Sequence, residues 1–243
     1  MAGMLYLVPT PIGNLGDISA RCREILAQAD FIAAEDTRVT LRLLNFLEIK
    51  KPLVSYYEHN QSARGKQLLE RMQAGEVCAL VSDAGSPAIS DPGEDLVRLC
   101  AEAGIAVSAI PGPCAVITAL SISGLPTGRF TFEGFLSTAK KSRKQHLDAL
   151  RTETRTMVFY EAPHKLLATL EDMAAVFGPD RRISLCRELT KLHEEVLRTT
   201  LGRAAAHYRQ EAPKGEFAWF WPAPSRSAPA SALWRKPPPG PGL

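Results

Sequence analysis

The alternation of two kinds of segment constrains the fold of this chain more than any other feature. Short apolar, β-branched runs alternate with amphipathic stretches at helical spacing. Strands that alternate with helices build crossover units on a largely parallel sheet, so the sequence predicts an α/β fold. The predicted strands are Met4–Val8, Asp30–Ala34, Leu53–Tyr56, Val77–Ser82, Ile105–Ile110, Phe130–Phe135, Thr156–Tyr160, Arg182–Arg187 and Glu195–Leu201. The predicted helices are Ile18–Ala29, Arg38–Phe46, Gln61–Ala74, Glu94–Ala103, Ala115–Ser121, Arg143–Leu150, His164–Phe177 and Arg203–Gln210.

So many strands exceed what one small sheet holds, which predicts two α/β domains. The turn-forming stretch Gly124–Gly128 is the best linker candidate, so we expect one domain over 1–124 and a second over 125–221. The last 22 residues, 222–243, hold seven of the 18 prolines of the chain. Proline neither donates to a sheet ladder nor continues a helix, so we expect a disordered tail there.

Composition excludes several classes of protein. No apolar run approaches the ~18 residues that a membrane span needs, and the N-terminus lacks a signal-peptide pattern. The five cysteines are scattered and never spaced C-x-x-C, which argues for reduced thiols in the cytoplasm and against a metal site or disulfide framework. A net charge of +3 is too small to indicate a nucleic-acid partner without a local basic cluster.

Three turns follow predicted strands and precede predicted helices: 8–17, 82–93 and 111–115. Ligands in open α/β sheets bind at the carboxyl ends of strands, and glycine lets the backbone come close to a ligand. Each turn alone is equally an ordinary βα connection, but three in matching positions favour a binding site. The phosphate-binding patterns G-x-x-x-x-G-K-[ST] and G-x-G-x-x-G are absent from the sequence, so these turns are not typical of a nucleotide triphosphatase or a dinucleotide enzyme.

Two polar clusters are further candidates, and each has a structural alternative. Glu35, Asp36 and Arg38 follow a strand where a substrate could reach them, yet Asp36 would equally cap the next helix. The densest basic run is 140–146, which suits phosphate contact or simply a solvated helix face. Cys114 directly precedes a predicted helix, where a thiol can act as a nucleophile, but a small residue packed beneath the turn is the more favoured interpretation.

Taken together, six segments resemble the ribosomal RNA small-subunit methyltransferases, a branch of the tetrapyrrole-methylase superfamily. The resemblance runs in order from about residue 4 to 217, and six motifs in sequence are far more specific than any one. The segments are Leu7–Asp17 (LVPTPIGNLGD), Ala33–Arg38 (AAEDTR), Leu80–Pro87 (LVSDAGSP), Pro111–Ala115 (PGPCA), Glu133–Leu136 (EGFL) and Arg187–Lys191 (RELTK).

The resemblance implies a homodimer without metal whose two α/β domains hold S-adenosyl-L-methionine in the cleft between them. The implied reaction is 2′-O-methylation of a cytidine in the decoding region of 16S ribosomal RNA of the 30S subunit. Glu35 or Asp36 would take the hydroxyl proton, with Arg38 beside them on a phosphate, and Lys141, Arg143 and Lys144 would contact RNA. The implied cofactor-binding residues are Pro9, Thr10, Asp83, Ala84, Gly85, Ser86, Pro87, Pro111, Gly112, Pro113, Cys114, Ala115, Tyr160 and Glu161.

Two other functions remain open from the sequence: a precorrin or uroporphyrinogen methyltransferase of the same fold, and a non-catalytic RNA-binding relative. One segment departs from the resembled pattern. Relatives continue Lys-Gly-Glu with a β-strand and a helical extension, whereas here Lys214-Gly215-Glu216-Phe217 leads into Ala218-Trp219-Phe220-Trp221 and the proline-rich tail. We expect a truncation or shifted reading frame to have replaced that strand, which would impair activity more than fold.

Overall fold

The computed structural model describes residues 3–211 and 217–221. All predicted strands and helices are present, with ends shifted by a few residues. The strands are β1 Met4–Leu7, β2 Phe31–Ala34, β3 Leu53–Ser55, β4 Val77–Val81, β5 Ala106–Ala109, β6 Phe130–Phe135, β7 Thr156–Glu161, β8 Arg182–Arg187, β9 Glu195–Thr200 and β10 Phe217–Trp221. The helices are α1 Ala20–Gln28, α2 Thr37–Phe46, α3 Gln61–Gln73, α4 Glu94–Glu102, α5 Ala115–Ile122, α6 Lys140–Ala149, α7 Pro163–Phe177 and α8 Leu201–Gln210.

The first sheet is wholly parallel and is covered by helices on both faces. Its strand order is β3-β2-β4-β1-β5. Successive side chains of a strand point to opposite faces. In β2, Ile32 packs in the core that α1 and α2 cover, whereas Phe31 and Ala33 pack in the core that α3 and α4 cover. Both faces are therefore buried, which explains why these strands read as continuous apolar runs rather than alternating ones.

Parallel pairing in register brings the carboxyl ends of four strands to one edge of the first sheet. Leu7 of β1 pairs with Leu80 of β4 and with Ala109 of β5, while Ala34 of β2 pairs with Val81. The residues that follow these strands must therefore emerge side by side. This edge carries the three predicted turns and the Glu35–Arg38 segment.

The second sheet is mixed, with strand order β6-β7-β10-β8-β9. Only β6 and β7 pair in parallel, whereas β8 pairs antiparallel with β9. The prediction of a largely parallel arrangement is therefore wrong for this sheet. The reason is local: only residues 188–194 join β8 to β9, and a parallel crossover needs a dozen or more residues.

Residues 217–221 form a strand, which corrects the expectation that the altered C-terminal segment had lost it. Strand β10 runs antiparallel to both neighbours, with Ala218 paired to Tyr160 of β7 and to Cys186 of β8. It thus occupies the centre of the second sheet.

Contacts divide the chain into two compact units, Met1–Ala115 and 116–243. Helix α5 groups with the second unit, where the Arg198 guanidinium donates to the Ser123 carbonyl at 3.1 Å, just beyond the helix C-terminus. The domain limits at 124 and 221 stay predictions, and the predicted tail 222–243 lies outside the described residues. Within the described part of the chain, no helix has the length and apolar character required to cross a membrane.

Candidate active site

The turns after β1, β4 and β5 are tied to one another. Thr10 and Gly85 exchange two backbone hydrogen bonds, at 2.9 Å and 3.0 Å, and the buried Thr10 hydroxyl donates to the Ser82 carbonyl at 3.1 Å. The Ser86 hydroxyl donates to the Pro113 carbonyl at 3.1 Å. The structure therefore brings residues of all three predicted cofactor turns into one assembly at the carboxyl edge of the first sheet.

Gly85 occupies a backbone conformation that favours glycine. Its φ is +85°, in the region that L side chains adopt only with strain. An added Cβ would meet the Ile12 side chain at 3.4 Å, an ordinary contact, so backbone strain rather than lack of space sets the requirement. The strain would fall on the residue that pairs with Thr10.

The turn after β5 packs against the turn after β1 through a second glycine. A Cβ on Gly112 would lie 2.8 Å from the Pro9 Cβ, closer than real contacts allow. Pro111 and Gly112 are exposed, whereas Pro113, Cys114 and Ala115 are half-buried. The exposed part of the turn is thus Pro111 and Gly112, and at Gly112 no side chain covers the main chain.

Two carboxylates from neighbouring strands converge beside these turns. The backbone N–H of Asp83 lies 3.4 Å from Glu35 Oε2, and the N–H of Asp36 donates to Asp83 Oδ1 at 3.0 Å. Burial raises the pKa of Glu35, and the nearby charges of Asp83 and Asp36 raise it further. The hydrogen bond from the Asp83 N–H partly opposes this rise. Burial likewise raises the pKa of Asp83. Such groups hold protons more readily than free carboxylates and so act as better bases once ionised.

Asp36 has the capping role that the sequence left open. It is the N-cap of α2, and its Oδ1 accepts from the Arg38 backbone N–H at 2.8 Å. The Arg38 guanidinium binds the same carboxylate, with Nη2 2.6 Å from Oδ2. These hydrogen bonds lower the pKa of Asp36 to about 2. A carboxylate held so strongly in its ionised form is a weak proton acceptor.

We therefore expect Asp36→Ala to lower the melting temperature by a few degrees at neutral pH, because the helix loses its cap. The depressed pKa means that the charge of Asp36 stabilises the fold above about pH 4 and that this contribution is lost as pH falls towards 2. Thermal unfolding of wild type, Asp36→Ala and Asp36→Asn measures the effect. Asn is an equally good cap, so Asp36→Asn should lose less. Equal melting temperatures for wild type and Asp36→Ala would contradict the capping role.

A third carboxylate, Asp91, lies near this site and was not selected from the sequence. Burial and the charges of Glu35 and Asp83 raise its pKa to about 6, while a hydrogen bond from Ser82 opposes the shift. The loop that carries it contains Ala88 and Ser90 at φ of +68° and +64°, unusual values for residues other than glycine. Spacing alone could not place Asp91 near Glu35, because its position depends on the path of the loop between β4 and α4.

The predicted site residues of the second unit have definite local partners. Glu161 is 3% exposed, and its carboxylate accepts from the Thr169 hydroxyl at 2.8 Å and the Ala162 N–H at 3.0 Å. This side chain therefore anchors the start of α7. Tyr160 is half-buried and packs its ring between Phe132 and Phe135, at centroid distances of 5.2 Å and 5.4 Å.

The predicted RNA contacts lie on α6, and they differ in exposure and in the partners that hold their side chains. Lys141 and Lys144 are exposed. Arg143 is 12% exposed, lies 2.6 Å from the Asp172 carboxylate and donates to the carbonyls of Ser137 and Thr138. Arg143 thus fixes the connection from β6 to α6, and the two lysines are the better candidates for contacts with phosphates.

Comparison with known proteins identifies the family to which this site belongs. The family model for Tetrapyrrole (Corrin/Porphyrin) Methylases matches residues 4–205. The chain belongs to the tetrapyrrole methylase family. A relative from Synechocystis sp., named ribosomal RNA small subunit methyltransferase I, is 54% identical over 88% of this chain and 77% of its own length. A relative of the same name from Thermotoga maritima is 46% identical over 88% of this chain and 96% of its own.

The fold of this tetrapyrrole methylase also matches solved structures. Uroporphyrin-III-C-methyltransferase from Thermus thermophilus aligns with a TM-score of 0.62 and 20% identity, over 90% of this chain and 94% of that one. This match confirms the predicted fold class. The relatives from Synechocystis sp. and Thermotoga maritima confirm the predicted resemblance and show that the chain is a methyltransferase. Among the described residues, no group of three or more His, Cys, Asp or Glu side chains is placed to hold a metal ion.

Proposed function

We propose that this methyltransferase modifies the 2′-oxygen of a cytidine in 16S ribosomal RNA, at the position numbered 1402 in that RNA. The observation that carries the proposal is the extent of high identity to relatives named for small-subunit ribosomal RNA methylation, 88% of this chain in two of them. We further propose the 30S subunit as substrate, a homodimer as the active form and the cytoplasm as its location.

S-adenosyl-L-methionine is the methyl donor, and when bound it supplies the transferred group from a positively charged sulfonium. The residues of the first unit fit such a ligand. The Glu35, Asp83 and Asp91 carboxylates form a negative edge: burial raises the pKa of each, the charge of Asp83 adds to the rise at Glu35, and the charges of Glu35 and Asp83 add to the rise at Asp91. Carboxylates and main-chain carbonyls suit a sulfonium and an amino group, whereas a phosphate would require N–H donors or cations.

Within this proposal, the tied turns hold the cofactor through main chain at Asp83–Pro87 and Pro111–Ala115, with Pro9 and Thr10 as the floor. Thr10 suits that role because its side chain is buried and its hydroxyl donates to the Ser82 carbonyl. Tyr160 and Glu161 of the second unit remain proposed cofactor contacts. For Glu161 the backbone is the better candidate, since its carboxylate is engaged by Thr169.

Glu35 is the better candidate for the group that takes the proton from the ribose hydroxyl. Its pKa is raised, whereas that of its neighbour Asp36 is lowered to about 2. General-base efficiency is greatest when the pKa of the base approaches the working pH. Asp36 then acts by holding Arg38, whose side chain is 84% exposed and would contact a phosphate of the substrate.

Transfer of tritium from labelled S-adenosyl-L-methionine tests the proposed substrate. The purified chain is incubated in parallel with undermethylated 30S subunits, free 16S RNA and uroporphyrinogen. Label on the subunit or RNA alone supports the proposal, and comparing these two identifies the preferred form. Label on uroporphyrinogen alone would assign the chain to tetrapyrrole methylation. Binding to RNA without transfer to any acceptor would instead support a non-catalytic RNA-binding protein.

Lys141 and Lys144 of α6 are expected to neutralise RNA phosphates. Replacing Lys141 and Lys144 by Ala should reduce the slope of log K against log salt by roughly 1.4 to 1.8, because each lost phosphate contact contributes about 0.7 to 0.9. Cofactor affinity should stay unchanged. Fluorescence anisotropy across a salt series measures the slope. The control is Lys50→Ala/Lys66→Ala, which removes the same number of positive charges from the first unit. An identical slope in the α6 variant and wild type would restore the solvated-face interpretation.

A further inference from the structure

An aromatic cluster of the second unit depends on a bulge in strand β6. The pairing of β6 with β7 shifts register between Phe132 and Gly134, and Gly134 has a φ of +64°. In a regular strand, residues 132 and 135 would point to opposite faces, since side chains alternate. Here the rings of Phe132 and Phe135 both contact Tyr160, at 5.2 Å and 5.4 Å between centroids. The bulge therefore re-aims a side chain, as bulges beside functional sites commonly do.

Phe135 is the exposed member of this cluster. The residue is 58% exposed, and the polar or small residues that follow Leu136, from Ser137 to Lys141, are all exposed as well. A single exposed apolar residue is common on protein surfaces and needs no partner by itself. Phe135 differs in that the Tyr160 ring packs against it and a bulge holds it in place.

The charge next to Phe135 is positive and held in a fixed position. Helix α6 begins five residues later with exposed Lys140, Lys141 and Lys144. Arg143 ties the connection by donating to the carbonyls of Ser137 and Thr138, at 3.2 Å and 3.3 Å, while it pairs with Asp172. The acidic residue nearby on β6 is Glu133, which His146 engages at 3.1 Å. An ordered aromatic face thus lies one short loop from three free lysines.

We propose that Phe135 is a stacking platform for one unpaired base of the RNA substrate, with the α6 lysines on the flanking phosphates. This inference rests on the proposed function and assigns a recognition residue to it. Proteins bind single-stranded nucleic acid by this pairing of aromatic faces with a basic track. An apolar peptide is a poorer match, since the surroundings of the ring are polar and cationic and would leave a protein partner little apolar surface to bury.

Binding of a fluorescein-labelled, mixed-sequence single-stranded RNA of about twelve nucleotides tests the inference by anisotropy. Phe135→Ala and Phe135→Leu should weaken binding roughly 5- to 100-fold, the range expected for loss of one stacked base. Phe135→Trp should keep wild-type affinity because it keeps an aromatic face, and its added indole fluorescence should be quenched when RNA binds. All three variants should retain the wild-type melting temperature and affinity for S-adenosyl-L-methionine.

The other outcomes separate failure of this inference from failure of the proposed function. If Leu binds RNA as well as Phe while Ala does not, the contact is apolar rather than stacking. A loss of S-adenosyl-L-methionine affinity with unaltered RNA binding would assign the ring to the adenine of the cofactor instead. Unaltered RNA binding in Phe135→Ala, with methyl transfer to 30S subunits by wild type, would overturn the stacking role and leave the proposed function standing. If Phe135→Ala weakens RNA binding but the wild type transfers no methyl group to 30S subunits, the proposed function is overturned and the stacking role stands.

Discussion

Glu35→Gln is expected to lower the rate of methyl transfer by about 10²- to 10⁴-fold, the usual contribution of a general base. The amide keeps the size of the side chain and can still accept from the Asp83 N–H, but it cannot take a proton. The half-buried position next to Asp83 raises the pKa of this carboxyl group in the wild type. A base works only when ionised, so the wild-type rate should rise with pH through this raised pKa, and Glu35→Gln should lose that rise.

Single-turnover rates with saturating 30S subunits across a pH series measure this effect. Asp36→Asn is the matched control, because it removes the adjacent carboxylate while its amide still caps α2. We expect the control to retain nearly the wild-type rate. Should Glu35→Gln and Asp36→Asn both react at the wild-type rate and with the same pH profile, neither carboxylate accepts the proton and positioning of the substrate drives the reaction.

Gly85→Val is expected to weaken S-adenosyl-L-methionine binding tenfold or more, equivalent to about 1.4 kcal/mol or greater. A β-branched residue at a φ of +85° is strained, so the loop must move or lose its paired hydrogen bonds with Thr10. The turns that would hold the cofactor are connected through this pair. Movement at Gly85 should therefore reach the turn after β1 as well.

Calorimetric titration with S-adenosyl-L-methionine measures the loss of affinity. A second glycine, outside the cofactor turns, serves as a control for the effect of backbone strain alone. Gly104 has a similar φ of +70° and no atom within 4 Å of an added Cβ, and it lies outside the three turns. Gly104→Val should lose stability through strain while keeping cofactor affinity. Unchanged cofactor affinity in Gly85→Val would place the cofactor elsewhere. Equal losses of cofactor affinity in both variants would point to general destabilisation.

Local sequence predicts most of the first unit because its elements are defined by local patterns. The inner strands β2 and β4 are buried on both faces, and proline or glycine occurs in the turns after β1, β4 and β5. Parallel pairing then forces Thr10, Ser82 and Pro113 towards one edge, so the candidate site follows from strand order once the sheet forms. The roles of Glu35 and Asp36, however, diverge through contacts that no spacing reveals. The Glu35 carboxylate lies beside the N–H of Asp83, which follows a neighbouring strand, whereas the Asp36 carboxylate caps the helix that follows it.

The second unit was harder to predict because its decisive contacts are distant in sequence. Arg143 meets Asp172 across 29 positions and so holds the β6–α6 connection, a role that no local pattern reveals, while its contact with RNA stays a prediction. Strand β10 takes its central place by pairing with β7 and β8, although its own sequence departs from the resembled pattern from Ala218 onward. The bulge at Gly134 likewise arises from sheet register rather than from any turn motif in the sequence.

The position of the transferred methyl group tests the central claim most directly. Undermethylated 30S subunits would be labelled with tritiated S-adenosyl-L-methionine, and their 16S RNA then hydrolysed in alkali. A methylated 2′-oxygen cannot attack the adjacent phosphate, so a ribose-methylated cytidine survives in an alkali-stable dinucleotide. We predict that the label is recovered in one such dinucleotide with cytidine at its 5′ side. Label recovered in mononucleotides would place the methyl group on a base and contradict the proposed 2′-O-methylation.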